Sequence, residues 1–236
     1  RGCARFQQSL AGHLGHLDIV LAEIPTESAF RKRLNQVQKA VNRATTLVRQ
    51  LLAFSRRQTM QMAKVDLNQT IMNLLKMLRR LIGEHIELDF NPGYPLRPVK
   101  ADPGQIEQVL MNLALNSRDA MPDGGRITIQ TQNVNFNQAF SKDQLAVKAG
   151  EYVMISFADT GRGIPKDLHE HVFEPFFTTK EIGKGTGLGL STVYGVIKQQ
   201  GGSIHLQSEL GHGTTFRVYL PALQGVADDL SQDSAI

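Results

Sequence analysis

The sequence predicts an α+β protein, with a pair of helices at the N-terminus and then a domain in which helices cover one face of a sheet. Apolar residues recur at alternating spacings of three and four over residues 4–24 and again over 34–55, which is the periodicity of packed helices. After about residue 62, strand-like and helical segments follow one another in a mixed order, which favours an α+β sheet over a doubly wound fold. We therefore expect domains at residues 1–62 and 63–223, and a tail or linker at 224–236.

The first domain is predicted to be an antiparallel helical hairpin. Its two helices are separated by residues 24–28, a short break that brings successive helices side by side. The apolar seam comprises Phe6, Leu10, His13, Leu17, Val20 and Ile24, then Leu34, Val37, Val41, Ala44, Val48, Leu51 and Ser55. Because one hairpin has little to bury that seam against, we expect it to pair with a second copy in a homodimer.

The second domain divides into further helices and strands. Apolar residues at helical spacing predict helices over residues 66–82, 104–121 and 187–200. Alternation predicts strands at residues 86–90, 126–130, 152–158, 203–207 and 215–220. We expect these strands to form a sheet that is covered by helices on one face.

Composition narrows the function classes. The net charge of +4 is only mildly basic, no long Lys/Arg run is present and Trp is absent, so we expect no nucleic-acid partner. A single cysteine, Cys3, excludes an internal disulfide framework and fits a reducing, cytoplasmic compartment. No apolar stretch of roughly 18 residues and no signal-peptide pattern occur. Because the chain begins at Arg1, we treat it as a fragment of a protein that is either soluble or anchored in the inner membrane through upstream segments.

The first chemical signal is a pair of asparagines in the helix predicted over residues 104–121. Asn112 and Asn116 are four residues apart and therefore lie on one helical face. An amide oxygen is a hard neutral ligand that suits a magnesium ion already carrying phosphates and waters. The same spacing fits two asparagines that merely face solvent, and the helix alone does not separate these alternatives.

The second signal, residues 158–165, follows a predicted strand. The carboxylate of Asp159 stands at the strand end, and Gly161 and Gly163 follow it. A carboxylate accepts hydrogen bonds from the exocyclic amine of a base, and glycines allow the backbone to approach a ligand closely. Alone, this pattern often marks an ordinary turn.

The third signal is the glycine-rich segment 183–191, which leads into the last predicted helix. Closely spaced glycines expose backbone N–H groups at a helix N-terminus, where phosphate groups bind. The segment is not a P-loop, because Thr178 occupies the place of the first glycine. It is not a G-x-G-x-x-G fingerprint either, because Leu188 or Leu190 takes the place of the last glycine. A flexible linker is the alternative, which the adjoining helix disfavours.

Taken in order, these three segments resemble the N box and the two glycine boxes of the Bergerat-type (GHKL) ATPases. Between the glycine boxes, residues 173–180 resemble the F box of sensor histidine kinases, and residues 211–221 are similar to the closing strand of their catalytic domain. The resemblance covers residues 67–221, and the hairpin extends it to the N-terminus. It implies a two-layer α/β sandwich with a mixed sheet, and a four-helix bundle formed by the hairpins of a dimer.

The resemblance also implies a site for ATP and Mg²⁺. Asn116 would coordinate the metal, with Asn112 one turn earlier beside the phosphates, and Asp159 would accept a hydrogen bond from the adenine amine. Lys180 and Lys184 would contact phosphates, and Lys184 is grouped with the two asparagines as catalytic. The other residues expected around the nucleotide are Asp119, Gly161, Gly163, Ile164, Phe177, Thr178, Gly185, Thr186, Gly187, Leu188, Gly189, Leu190 and Thr215.

One departure from the superfamily favours phosphoryl transfer over hydrolysis. Relatives that hydrolyse ATP, such as gyrase and MutL, carry a glutamate one turn before the magnesium asparagine, where it activates water. Here that position is Asn112, and an amide cannot act as a general base. The resemblance thus implies a protein-histidine kinase of a two-component system, with a response-regulator receiver domain as its partner.

A second departure concerns the phosphoacceptor. The best match to the family pattern around that histidine places Ala4 at the acceptor position and Arg5 at the adjoining acid, while Gln8 keeps an amide. Alanine cannot accept a phosphoryl group. Either another residue such as His13 or His16 serves instead, or the chain is a degenerate kinase that binds ATP and regulates a partner without phosphorylating itself.

Overall fold

In the computed structural model the chain forms two compact units, Arg1–Thr59 and Met60–Ile236. The structure describes residues 28, 30, 31, 34 and 38 of the first unit, and residues 61–136, 148–180 and 185–223 of the second. Apart from a few helical positions between 30 and 38, the predicted hairpin lies outside the described residues, as do Ala4 and the predicted tail. The domain boundaries at 62 and 223 therefore stay predictions. Within the described part, no helix is long and apolar enough to cross a membrane.

The described part of the second unit contains helices and strands in a mixed order. They are β1 (Ala63–Val65), α1 (Leu67–Ile82), β2 (Ile86–Asn91), β3 (Val99–Ala101), α2 (Pro103–Ala120), β4 (Gly125–Phe136), β5 (Gly150–Asp159), the 3-10 turn Lys166–Leu168, α3 (Gly189–Gln199), β6 (Ser203–Glu209) and β7 (Gly213–Pro221). Each helix and strand predicted from the sequence for this unit is present, and most have similar bounds.

Five of the strands form a mixed sheet in the order β2-β4-β5-β7-β6. Strands β2 and β4 are parallel, and α2 lies in the crossover between them, whereas the other neighbouring pairs are antiparallel. Parallel neighbours need such a long crossover, while antiparallel neighbours such as β6 and β7 are joined by a tight turn. The predicted mixed sheet is confirmed.

The helices share one core with one face of this sheet. In β5 the alternate residues Val153, Ile155 and Phe157 are almost fully buried and belong to the same core as residues of every helix. The helical contribution comprises Leu67, Ile71, Leu74, Leu78 and Ile82 from α1, Ile106, Val109, Leu110, Leu113 and Ala114 from α2, and Val193, Val196 and Ile197 from α3. The result is a two-layer α/β sandwich, as expected.

The helices differ in how they begin. The Asp66 carboxylate accepts a hydrogen bond from a first-turn N–H of α1, and Asp102 accepts hydrogen bonds from Gly104 and Gln105 at the start of α2. Such caps satisfy N–H groups that have no partner inside the helix. Helix α3 begins at Gly189 without any side-chain cap. Its first-turn N–H groups therefore remain available to a ligand.

Two features were not predicted. Strands β1 and β3 form a separate antiparallel pair, with Val65 opposite Val99, and three-residue strands are too short to show alternation. Strand β4 also runs past the predicted end at residue 130. Its last residue, Phe136, packs edge-on against Tyr152 and Tyr219, in a small cluster separate from the main core. That second apolar cluster explains why the strand continues.

Candidate functional site

Helix α2 places Asn116 against the first turn of α3. A Cβ added at Gly189 would lie 3.6 Å from Asn116 Nδ2 and 3.8 Å from Asn116 Oδ1. The Nδ2 atom is buried and has no hydrogen-bond partner among the described residues. Buried polar atoms are rarely left without a partner, so this amide is free to bind a ligand. Asn112 lies one turn earlier on α2 and is half-buried.

The first turn of α3 provides positive electrostatic potential beside that amide. An uncapped helix N-terminus directs N–H groups and the positive end of the helix dipole outward, where they attract anions. The side chains of Leu188 and Leu190 point into the protein, since Leu188 is 5% exposed and Leu190 packs against the main core. These two residues therefore offer only their backbone to a ligand at this turn. Gly187 has a φ of 65°, and its carbonyl accepts a hydrogen bond from the Phe176 N–H. A Cβ at Gly187 would lie 2.2 Å from the Phe176 carbonyl carbon, so no side chain fits there.

The carboxylate of Asp159 lies at the end of β5 and is 8% exposed. Its Oδ1 accepts hydrogen bonds from the backbone N–H groups of Gly161 (2.9 Å) and Thr214 (3.2 Å). Its Oδ2 accepts one from the hydroxyl of Ser117 on α2 (2.5 Å). These bonds fix the carboxylate in one orientation, and Oδ2, which accepts only one of them, can accept a further hydrogen bond.

The loop after Asp159 is held between α2 and the β6–β7 hairpin. A Cβ at Gly161 would lie 2.8 Å from the Ala120 Cβ at the end of α2. Gly163 has a φ of 72°, and a Cβ there would lie 2.0 Å from the Glu209 carbonyl oxygen. Ile164 is half-buried, and its N–H donates to the Ser208 hydroxyl on β6 (2.8 Å). The glycines are therefore required by close backbone contacts.

A group of charged residues lies one turn beyond Asn116. The Lys180 ammonium donates to Asp119 Oδ2 at 2.6 Å, and Arg118 Nη2 donates to Asp119 Oδ1 at 2.8 Å. The Lys180 N–H donates to the Thr178 hydroxyl, and a Cβ at Gly185 would lie 2.6 Å from that same hydroxyl. Gly185, which follows positions 181–184, thus lies against Thr178 and Lys180, which precede them.

The two cations change the acidity of this carboxyl group. Burial raises the pKa of Asp119, but the hydrogen bonds and positive charges of Lys180 and Arg118 outweigh it and hold the pKa below its ordinary value. Asp119 is therefore ionised at neutral pH. One carboxylate facing two cations leaves a net positive charge about one turn beyond Asn116.

The expected residue was Thr215, whereas the structure places Thr214 beside the Asp159 carboxylate. In the antiparallel pair of β5 and β7, Thr214 is opposite Asp159, whereas Thr215 is opposite Ala158. Successive strand residues point to opposite faces of a sheet, so Thr215 points away from the face on which Asp159 lies. Thr214 is 6% exposed and is the threonine beside the carboxylate. The alternation through Phe216 and Val218 was visible in the sequence and would have selected Thr214.

The remaining expected residues are Phe177, Thr186 and Lys184. Of the described ones, neither Phe177 nor Thr186 is hydrogen-bonded to Asn116 or Asp159. Phe177 is half-buried, with its ring centroid 6.0 Å from that of His171. The Thr186 hydroxyl accepts a hydrogen bond from the Leu188 N–H and so supports the turn before α3. Lys184 lies outside the described residues, and its expected catalytic role stays a prediction.

Sequence reasoning missed Ser117, which orients the Asp159 carboxylate from a position 1% exposed. Its signal was its place on α2, because Ser117 follows Leu113 and Ala114 by four and three residues and so lies on the apolar, buried face. A hydroxyl on that face needs a partner. Naming that partner required the fold, since Asp159 is 42 residues away.

Comparison with known proteins gives a family match over residues 101–224, just over half of the chain. The matching family is described as histidine kinase-, DNA gyrase B- and HSP90-like ATPase. The matched region includes α2, the loop after β5, α3 and strand β7, which together form the site described above.

Similar proteins include sensor kinases. The sensor kinase CckA of Brucella abortus is 53% identical over 198 residues, which cover 84% of this chain and 21% of that protein. The chain therefore spans about a fifth of the length of that relative. Among solved structures, full-length ShkA in complex with AMPPNP matches with a TM-score of 0.72 at 24% identity, covering 95% of this chain and 45% of that one. The histidine kinase ThkA in complex with the response regulator TrrA matches with a TM-score of 0.64 at 24% identity, covering 93% and 60%.

These structural matches agree in fold with the sandwich described here, and the family match extends through the site. The chain belongs to the histidine kinase-, DNA gyrase B- and HSP90-like ATPase family, and it carries the catalytic domain of a sensor histidine kinase.

Proposed function

We propose that this chain is the cytoplasmic core of a sensor histidine kinase. It binds Mg²⁺-ATP and transfers the γ-phosphate to a histidine, from which the phosphoryl group passes to an aspartate of a response regulator. The family match and the 53% identity to a sensor kinase support the reaction class. The complex of ThkA with the response regulator TrrA supports a receiver domain as the partner. The N-terminal hairpin is proposed to form the homodimer.

The observation that carries this proposal is the unpartnered Asn116 amide beside the uncapped N-terminus of α3. A buried amide without a partner costs free energy, as do helical N–H groups without acceptors. Phosphate oxygens satisfy both, because they accept hydrogen bonds and carry the negative charge that a helix N-terminus attracts. We place the phosphates of ATP here, with Gly187 and Gly189 allowing the backbone to approach them.

The adenine ring is proposed to bind at Asp159. That carboxylate is fixed by three hydrogen bonds and keeps one lone pair, on Oδ2, for the exocyclic amine of adenine. Gly161, Gly163 and Ile164 border this position. Because Ser117 follows Asn116 directly on α2, one helix carries a residue at each of the two proposed positions.

The residues present also fit a magnesium ion. The Asn116 side chain offers a neutral amide oxygen in addition to its nitrogen, and oxygen ligands of this kind suit Mg²⁺ that is shared with phosphates. The metal, when bound, supplies charge neutralisation across the phosphates. Asn116 is its proposed protein ligand, while Asn112, Lys180 and Lys184 are proposed to stabilise the phosphates.

Asn112 supports transfer to a protein side chain rather than to water. A general base must take a proton from the attacking group, and a neutral amide has no basic lone pair for this purpose. Helix α2 thus offers amides at both positions that face the phosphates in our proposal. Transfer then depends on positioning and electrostatics, which are the main protein contributions in phosphoryl transfer.

A second function is favoured by Ala4. If that residue occupies the phosphoacceptor position, the chain binds ATP and dimerises, but regulates a partner without phosphorylating itself. This pseudokinase shares the ATP site with the kinase, so ATP binding alone does not separate the two functions. Labelling of the chain does.

The test combines binding with labelling. The purified chain is expected to bind ATP in the presence of Mg²⁺, and Asn116→Ala should weaken binding by about tenfold or more, the cost of losing a hydrogen bond to a charged group. Asn135→Ala, at an exposed position on β4, is the matched control and should bind as the wild type does. An acid-labile, base-stable label from γ-labelled ATP on His13 or His16 supports the kinase. Tight binding without any label supports the pseudokinase, and no ATP binding overturns both.

A further inference from the structure

Asp119 carries a negative charge beside a site that we propose binds anions. It follows Asn116 by three residues on α2, so the two side chains lie on the same helical face. A carboxylate this close to the proposed phosphate position repels phosphate oxygens, more strongly when it is partly shielded from water. Its side chain is 32% exposed and its pKa is held low, so it does not escape this repulsion by protonation. Asp119 must therefore make a favourable contribution to the site that offsets this repulsion.

The carboxylate is fixed from the side of α1. Arg118 donates through Nε (3.0 Å) and Nη2 (2.8 Å) to Asp119 Oδ1, and its Nη1 donates to the Leu81 carbonyl near the end of α1 (3.2 Å). The other oxygen, Oδ2, accepts from the Lys180 ammonium at 2.6 Å. A chain of hydrogen bonds thus runs from α1 through Arg118 and Asp119 to Lys180.

We propose that Asp119 is a positioning residue, which holds the Lys180 ammonium at the phosphate end of the site and so gives the chain its preference for nucleotides with several phosphates. The proposal rests on the ATP binding proposed above. A free lysine side chain loses much conformational freedom when it binds a ligand, and a lysine already held by a carboxylate loses less. An ammonium has three N–H donors, so it can keep Asp119 as a partner and still donate to a phosphate.

The charge balance agrees with this role. Asp119 brings one negative charge, but it holds the positive charges of Lys180 and Arg118, so the group as a whole attracts a polyphosphate. In the opposite role, Asp119 competes with phosphate for Lys180. The two roles predict opposite changes when the carboxylate is removed, and this makes them separable.

The experiment measures dissociation constants of ATP and AMP in Mg²⁺ for the whole chain and its variants. Asp119→Asn and Lys180→Met should each weaken ATP binding by roughly three- to tenfold, the range of a partly exposed charge-assisted hydrogen bond, and leave AMP binding unchanged. In the Lys180→Met background, Asp119→Asn should leave ATP binding unchanged or make it tighter, since only the repulsion remains to be removed. Asp119→Glu should restore most of the preference for ATP.

The matched control is Asp89→Asn. Asp89 is also an aspartate beside an arginine, Arg126, but it lies on β2 and should change neither affinity. Unchanged AMP binding shows that the site of a variant is folded. If Asp119→Asn binds ATP as tightly as the wild type, or more tightly, while AMP binding is retained, the positioning role is wrong. Failure of the wild type itself to bind ATP would overturn the proposed function and this proposal with it.

Discussion

Replacing Asp159 by asparagine should separate nucleotide recognition from folding. An asparagine oxygen can still accept the hydrogen bonds of the Gly161 and Thr214 N–H groups, and its NH₂ group can donate to the Ser117 oxygen, which also accepts. All three contacts survive, so we expect a loss of only about 1 kcal/mol in the free energy of unfolding. Asp159→Ala removes every acceptor and leaves three buried donors unpaired, at about 1–3 kcal/mol each.

The same change should strongly weaken ATP binding. A hydrogen bond to a charged group is worth about 1.5–3 kcal/mol, which corresponds to roughly a 10- to 150-fold increase in the dissociation constant of ATP. In the proposed complex, the donor now at position 159 would face the donor on adenine, whereas it would suit a base with a carbonyl oxygen at that place. Inosine triphosphate should therefore lose much less affinity than ATP, and the ratio of the two constants should shift toward inosine.

The assay is calorimetric titration of both nucleotides in Mg²⁺, with a thermal melt of each variant. Ser117→Ala is the matched control, since it removes one partner of the carboxylate and leaves the carboxylate itself. We expect it to lower stability by about 1 kcal/mol and to reduce ATP affinity far less than Asp159→Asn does. A folded Asp159→Asn variant with wild-type ATP affinity and no shift toward inosine would refute the adenine contact.

Three further results are expected. Gly163→Ala should lower the free energy of unfolding by about 2 kcal/mol or more, because the φ of Gly163 is 72° and the new Cβ would lie 2.0 Å from the Glu209 carbonyl oxygen. Gly195→Ala in α3, where nothing lies within 4 Å of the new Cβ, should instead raise it by about 0.5–1 kcal/mol, and urea titrations measure both changes. Asp102→Ala should lower the free energy of unfolding by about 1–2 kcal/mol in the same assay, because α2 loses its cap and the Gln61 N–H loses its acceptor. The pKa of His171, measured by NMR, should lie above the ordinary value of 6.5 because Glu174 accepts its hydrogen bond, and Glu174→Gln should return the pKa toward 6.5. The pair therefore stabilises the folded state below pH 6.5, and this contribution is lost as the pH rises through the raised pKa.

The sequence was sufficient wherever the information was local. The positions of α1 and α2 follow from the spacing of apolar residues. Their starts are also marked in the sequence by Asp66 and Asp102, which cap the two helices. The start of α3 was placed two residues early because glycines carry no apolar signal. The backbone at Gly187 is left-handed and cannot belong to the helix, whose first residue is Gly189. The local spacing of apolar residues thus predicted the type of each element better than the residue at which it begins.

The remaining contacts depend on residues that are far apart in the chain. The Asp119–Lys180 pair joins positions 61 residues apart, and nothing in the spacing of either segment predicts that they meet. Sequence patterns identified the two halves of the site separately, as a helix with two amides and a strand end with a carboxylate. Their relation to each other is set by the packing of α2 on the sheet, which is a property of the shared core.

That packing explains why one helix serves both ends of the proposed nucleotide site. Successive residues on an α-helix are rotated by about 100°, so adjacent side chains on α2 point in different directions. Asn116 lies against the first turn of α3, and Ser117 points to the sheet, where it holds Asp159. The buried residue Leu113, one turn earlier, anchors the same helix in the core. A rotation of α2 would therefore disturb the proposed phosphate and adenine contacts together, while a change in the loop at Gly161 would affect the proposed adenine contact alone.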